Sequence, residues 1–132
     1  MTGAGSGLAR GIVLALVREG CRRVVAVDIV PERLAETAKL AREIDPAVDV
    51  LEVTTDVADA AAVQAMVAAA VRQFGRIDYA AHCAGIAGTA ARTDELTADD
   101  FDTVMAVNIR GLWLCQKAVL AQMKAQLPRA LP

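Results

Sequence analysis

Residues 2–9 read Thr2-Gly3-Ala4-Gly5-Ser6-Gly7-Leu8-Ala9, a glycine loop that runs straight into a segment of helical apolar period. Backbone N–H groups in the first turn of a helix lack intrahelical partners, and the helix dipole makes that end positive. Glycines let the chain turn tightly and approach an anion with no Cβ in the way. The loop therefore reads as a phosphate cradle, although a glycine loop alone also fits a plain flexible turn. The second feature is Asp28, which closes the run Val24-Val25-Ala26-Val27. A carboxylate about twenty residues past such a loop accepts hydrogen bonds from both hydroxyls of an adenosine ribose. It would repel a 2′-phosphate, and neither Ser6 nor Ile29 supplies a compensating base. Loop and carboxylate together predict a dinucleotide site that favours NAD over NADP.

The flanking segments give this site its frame. Leu8, Ile12, Ala15 and Leu16 share one helical face, and Gly20 is a natural stop. The Val-rich run before Asp28 has the composition of a strand buried on both faces. Pro31 suits the first turn of a second helix reaching about Glu43. Val48, Val50, Leu51 and Val53 mark the next strand. Asp59 opens an Ala-rich helix with Val63, Met66, Val67, Ala70 and Val71 on its apolar face, and Gly75 ends it. Residues 77–83 read as a third strand, followed by a loop with Gly85 and Gly88. Thr97 and Asp100 form a capping box for a helical region that runs to about Gln126, with a break near Gly111. Pro128 and Pro132 punctuate the tail. Strands that alternate with helices predict an α/β fold with helices on both faces of a parallel sheet.

Composition agrees. The chain has 132 residues, 55% of them hydrophobic, yet one Trp, one Tyr and two Phe are its entire aromatic content. A core of Ala and Val fits packed α/β layers. The net charge is −2 with basic residues scattered, so neither nucleic acid nor an anionic membrane is an expected partner. No run of about 18 uncharged apolar residues predicts a membrane span, and the first residues lack the basic start of a signal peptide. Cys21, Cys83 and Cys115 are far apart and His82 is the single histidine. Disulfides and a zinc site are unsupported, and a reducing cytoplasm is the expected compartment.

Taken together, four segments resemble the short-chain dehydrogenase/reductase family. Residues 2–9 resemble its T-G-x-x-x-G-x-G loop, with Ala9 in place of the last glycine. Asp56-Val57 resembles its adenine contact. His82-Cys83-Ala84-Gly85 resembles its N-N-A-G segment, with both asparagines replaced. Val107-Asn108-Ile109-Arg110-Gly111 is similar to the helix that carries a catalytic Asn in the family. The resemblance spans nearly the whole chain, in order. It implies a Rossmann-type, doubly wound parallel sheet over residues 1–132. It also implies a nicotinamide cofactor, with pyrophosphate on Gly3, Gly5, Ser6, Gly7 and Leu8, and ribose at Asp28 and Ile29. Adenine would lie at Asp56 and Val57, and the nicotinamide end at Ala84 and Gly85. Asn108 would hold a water in a proton relay, and the substrate class would be secondary alcohols or ketones. Asn108 has a physical case of its own: it shares a stripe with Phe101, Val104, Met105, Leu112 and Cys115. A buried Asn there must find hydrogen bonds to backbone or water.

The family's proton donor is a Tyr whose pKa is lowered by a Lys four residues later, assisted by a Ser. Here Tyr79 is the one Tyr, Ser6 the one Ser, and no Y-x-x-x-K occurs. Only Met1 precedes the glycine loop, where a strand is expected. In the strand order 3-2-1-4-5 that strand is central, and its neighbours would flank a gap of about 10 Å. The sequence is thus expected to be an incomplete Rossmann domain, extended at both ends in the intact protein and without activity alone. Two other readings stand beside it. Gly3-Ala4-Gly5-Ser6-Gly7 with Asp28 also fits an S-adenosylmethionine-dependent methyltransferase. A non-enzymatic fragment could instead bind a full-length relative, or a second copy, through Leu112, Trp113, Leu114 and Leu120 of its last helix.

Overall fold

The run Val24-Val25-Ala26-Val27 lies in β1 (Arg23–Asp28), with Val24, Ala26 and Val27 buried, and pairs in parallel with β2 (Asp49–Thr54). The register sets Val25 against Leu51 and Asp28 against Thr54. Parallel neighbours need a crossover, and α2 (Pro31–Ile44) supplies it, with Pro31 in its first turn. The computed structural model describes residues 1–128, so Pro132 lies outside the described residues.

The glycine loop leads into α1 (Gly7–Arg18). After β2 comes α3 (Ala60–Phe74), capped by Asp59, whose Oδ1 accepts from Ala61 N–H at 2.8 Å and Ala62 N–H at 3.3 Å. Gly75 closes α3 in the left-handed region at φ 79°. The Thr97/Asp100 capping box opens α4 (Ala98–Met105), which passes through a π-helical turn (Ala106–Gly111) into α5 (Leu112–Ala125). Where a break was expected near Gly111, the helix widens by one residue per turn and continues.

Two cores cover the two faces of the strands. Val13, Val17, Leu34 and Ala38 pack with Val24, Ala26 and Val50 on one side. Val63, Met66, Val67, Cys115 and Val119 pack with Val27 on the other. Alanines and valines bring the layers close, as the composition implied.

Three expectations need correction. The buried stripe of α1 is Ala9, Val13 and Val17, whereas Leu8 is 77% exposed and Ala15 is also exposed. Almost every position of α1 is apolar, so period alone could not choose the face. Residues 77–83 form no strand. Thr2 makes one parallel bridge to Val27 and another to His82. Thr2 N–H donates to Ala81 O at 3.1 Å, and Val27 N–H to Met1 O at 3.0 Å. A two-residue neighbour supports a single rung, too little for a strand, and Tyr79 is left 87% exposed. Finally, the unbroken helix Ala98–Ala125 has 28 residues and a mean hydropathy of 1.2 over its most apolar stretch. By length and composition alone it could cross a membrane, although Arg110, Lys117 and Lys124 interrupt it, so no long uncharged apolar run occurs. Its Cys115, Ala118 and Val119 are buried in the core shared with α3, while Leu112, Trp113 and Leu120 are exposed.

Candidate functional site

The glycine loop, the end of β1, the 54–58 turn and the 83–86 segment meet at one edge of the sheet, beyond the carboxyl ends of its strands. Gly3 has φ 71°, and a Cβ there would lie 2.9 Å from Cys83 O and Ala84 N. Its lack of a side chain lets the loop lie directly on the 83–84 backbone. Thr2 stitches the same contact: its Oγ1 accepts from Cys83 N–H at 3.1 Å and Ala84 N–H at 3.3 Å.

Gly5 plays the matching part at β1, since a Cβ there would stand 2.8 Å from the Asp28 carboxyl carbon. Gly5 N–H donates to Asp28 Oδ2 at 2.9 Å, and Val30 N–H donates to Oδ1 at 3.1 Å. The carboxylate is thus fixed at the mouth of the loop. An ionised carboxylate offers about four acceptor positions, so two bonds leave capacity for two hydroxyls. Ile29 beside it is 62% exposed.

The start of α1 is open to an anion. Ser6 occupies the N-cap without bonding its side chain to a helix N–H, and the first turn has no acidic residue. A Cβ on Gly7 would meet nothing within 4 Å, and Ser6, Gly7 and Leu8 are all exposed. Orphan N–H groups and a positive dipole end therefore face solvent together.

Sequence reasoning missed Arg10, which holds this loop from behind. Its Nη2 donates to Gly5 O and pairs with Glu36 at 2.7 Å, while its Nε donates to Thr37 Oγ1 at 2.9 Å. Thr37 is fully buried, and its Oγ1 lies 2.8 Å from Ala4 O. With the Ala4 and Gly5 carbonyls drawn toward α2, their peptide planes are fixed. A signal existed: a cation in the first turn of a helix opposes the dipole, so an Arg there needs partners elsewhere.

Asp56 is exposed, and its Oδ1 accepts from Ala58 N–H at 2.9 Å. The neighbouring Val57 is only 6% exposed and its side chain belongs to the core. Gly111 packs against it: a Cβ on Gly111 would come within 2.9 Å of Val57 Cγ2. Arg110 Nη1 donates to Ala58 O at 2.6 Å. The π-helical turn is thereby tied to the 56–58 turn.

Asn108 sits in that π-helical turn. It is half-buried, in a stripe where Phe101 is 60% and Leu112 40% exposed, not in the buried stripe expected. Its side chain still finds backbone partners: Nδ2 donates to Ile86 O and Oδ1 accepts from Ile86 N–H, both at 2.9 Å. A Cβ on Gly85 would lie 3.3 Å from the same Oδ1. Asn108 thus clamps the segment that carries Ala84 and Gly85.

His82 lines a cavity together with Met1, and its buried Nδ1 has no hydrogen-bond partner among the described residues. Burial lowers its pKa from 6.5, and the nearby Met1 ammonium lowers it further. Burial likewise lowers the Met1 ammonium from 8.0, against the opposing pull of Cys83 and Cys115. Both groups bind protons more readily in the unfolded chain, so stability rises with pH through each window. The penalty is complete below each folded pKa and vanishes above 6.5 for His82 and above 8.0 for Met1. Urea midpoints measured from acid to neutral pH and on to mildly alkaline pH should therefore climb. Acetylating Met1 should flatten the upper part of the rise and His82→Asn the lower. An unchanged slope in both variants refutes the assignment.

Comparison with known proteins places this geometry. The family model for short chain dehydrogenases matches residues 1–128. Levodione reductase of Leifsonia aquatica is 39% identical over 126 residues, covering 96% of this chain and 47% of that protein. The 2-(R)-hydroxypropyl-CoM dehydrogenase of Xanthobacter autotrophicus is 41% identical over 128 residues, covering 96% and 50%. The crystal structure of levodione reductase superposes with a TM-score of 0.91, covering 94% of this chain and 48% of that one. That of NAD+-bound xylitol dehydrogenase gives 0.88 at 32% identity, covering 94% and 46%. The chain spans about half the length of the relatives it matches. With a glycine loop, a strand-end carboxylate and a clamping Asn in one Rossmann-type frame, this chain belongs to the short-chain dehydrogenase family.

Proposed function

We propose that residues 1–132 form the cofactor-binding part of an NAD-dependent oxidoreductase acting on a secondary alcohol or ketone. The observation that carries this reading is the bond from Gly5 N–H to Asp28 Oδ2 at 2.9 Å. It sets a ribose-binding carboxylate beside an open helix N-terminus, at the spacing an adenosine diphosphate needs. The pyrophosphate would lie on the backbone of Gly3, Gly5, Ser6, Gly7 and Leu8. Ribose would be held by Asp28 beside Ile29, adenine by Asp56 and the main chain of Val57, and the nicotinamide end by Ala84 and Gly85. When bound, the nicotinamide supplies the hydride acceptor or donor.

The chain's own residues bind and orient. Arg10 and Thr37 keep the loop carbonyls turned away from the phosphates. Thr2 and Asn108 hold the two ends of the 83–86 segment, and Asn108 would order a relay water through its main chain, since its side chain is engaged by Ile86. Transfer of the substrate proton calls for a residue of the Y-x-x-x-K type, which these 132 residues lack. The chain should therefore bind cofactor without turning over alcohols.

Thermal shift and calorimetric titration with NAD, NADP and S-adenosylmethionine test this directly. NAD should bind and raise the melting temperature, NADP should bind at least tenfold more weakly, and S-adenosylmethionine should give no shift. Stabilisation by S-adenosylmethionine alone would move the chain to the methyltransferase class.

A further inference from the structure

Gly5 brings two unlike charges to the mouth of the loop. A Cβ placed on it would lie 2.8 Å from the Asp28 carboxyl carbon and also 2.8 Å from Arg33 Cβ. The strand-end carboxylate and the root of the Arg33 side chain therefore flank the same glycine, no more than twice that distance apart. Both are anchored through the backbone. Asp28 rests on the Gly5 and Val30 N–H groups. Arg33 lies in the first turn of α2. Its carbonyl accepts from Thr37 Oγ1 at 3.0 Å and from Arg10 Nη2 at 3.4 Å, the two side chains that hold the loop from behind.

The Arg33 guanidinium is not spent on the fold. It is exposed, and among the described residues it has neither an ion-pair nor a hydrogen-bond partner. Arg10, by contrast, is paired with Glu36. A cation in the first turn of a helix opposes the dipole, so α2 gains nothing from Arg33 there; Glu32 is the residue of that turn whose charge suits it. What Arg33 offers is a planar fork of N–H donors, which matches a phosphate. What Asp28 offers is free acceptor positions, which match hydroxyls.

We propose that Arg33 is a specificity-determining residue: it receives a 2′-phosphate across the ribose site from Asp28, and the two side chains set cofactor choice against each other. The inference rests on the reading of Asp28 as the ribose ligand and adds a second determinant to it. A ribose with a free 2′-hydroxyl bonds to Asp28 and leaves Arg33 unused. A 2′-phosphate carries a charge of about −1.5 to −2 at neutral pH, so Asp28 repels it and Arg33 attracts it. Asp28 prevails in the native chain because two backbone N–H groups fix it, whereas Arg33 ends a flexible stem in water, where screening is strong. NAD is preferred, and the affinity left for NADP comes from Arg33.

Asp28→Asn supplies the background for the test, since it lifts the repulsion while the amide oxygen can still hold Gly5 N–H. Calorimetric titrations with NAD and NADP compare the native chain, Arg33→Ala, Asp28→Asn and the double variant, with urea midpoints to confirm folding. Adding Arg33→Ala to Asp28→Asn should weaken NADP by ~10-fold at low salt and by less at physiological ionic strength. NAD should change by less than about twofold. Arg33→Lys, which keeps the charge without the fork, should fall between Arg and Ala for NADP. Equal losses for both cofactors would put the guanidinium on a part that they share and overturn the proposal. So would equal NADP affinities for Asp28→Asn and the double variant. NAD binding by the native chain separates these failures from failure of the cofactor reading, because a native chain that binds neither cofactor refutes both.

Discussion

Gly3→Ala should destabilise the chain by ~2–5 kcal/mol, a large fraction of a small domain's stability. Two costs add. The first is conformational, because Gly3 sits at φ 71°, and an L-residue there loses about 1–2 kcal/mol. The second is steric, because the new Cβ would stand 2.9 Å from Cys83 O and from Ala84 N. Those are backbone atoms held by Thr2, so no rotamer change relieves them, and overpacking of that kind costs roughly 1–3 kcal/mol. Gly7→Ala is the control. Gly7 has φ 53° but open space where its Cβ would go, so only the conformational cost of about 1–2 kcal/mol applies. Urea unfolding followed by circular dichroism should rank wild type, Gly7→Ala and Gly3→Ala in that order. Equal midpoints for the two variants would show that the loop does not press on residues 83–84.

The same two glycines show what was legible in the sequence. Their spacing and the carboxylate at Asp28 were enough to place a loop, a helix N-terminus and a strand end together, because each is a local rule of backbone geometry. The caps at Asp59, Gly75 and Thr97 were legible for the same reason. What escaped depends on neighbours distant in sequence. Arg10 drew no reading from the sequence, because its partners Glu36 and Thr37 lie on α2, 26 and 27 residues away. The face of α1 could not be chosen from a helix apolar almost all round. Residues 77–83 have the composition of a strand, yet a strand exists only where a partner supplies alternate rungs, and here Thr2 supplies one. Asn108 was correctly said to need backbone partners. The π-helical turn that aims it at Ile86 is only six residues long, too short for a hydrophobic pattern to report its period.

Asp28→Ala should weaken NAD binding by about 100-fold or more, and it should do so by two routes. The direct route is the ribose: two hydroxyls lose a charged acceptor, and hydrogen bonds to a charged group contribute roughly 1.5–3 kcal/mol each. The indirect route is the loop. Gly5 N–H and Val30 N–H both rest on this carboxylate, and without it the loop has one fewer anchor on β1, so the pyrophosphate cradle is less fixed before the ligand arrives. Asp28→Asn separates the two. The amide oxygen can still accept from Gly5 N–H, which preserves the loop, while the charge is gone. Asn should therefore lie between wild type and Ala for NAD. For NADP the order should invert: Asp28→Asn and Asp28→Ala both remove the like charge that meets a 2′-phosphate, so NADP should bind either variant more tightly than it binds wild type. Calorimetric titration of each variant with both cofactors, alongside urea midpoints to confirm folding, gives the comparison. If NAD affinity is unchanged in Asp28→Ala while NADP remains excluded, the carboxylate holds the loop and the ribose lies elsewhere. A fall for NAD together with a rise for NADP ties the exclusion of NADP to this strand-end side chain.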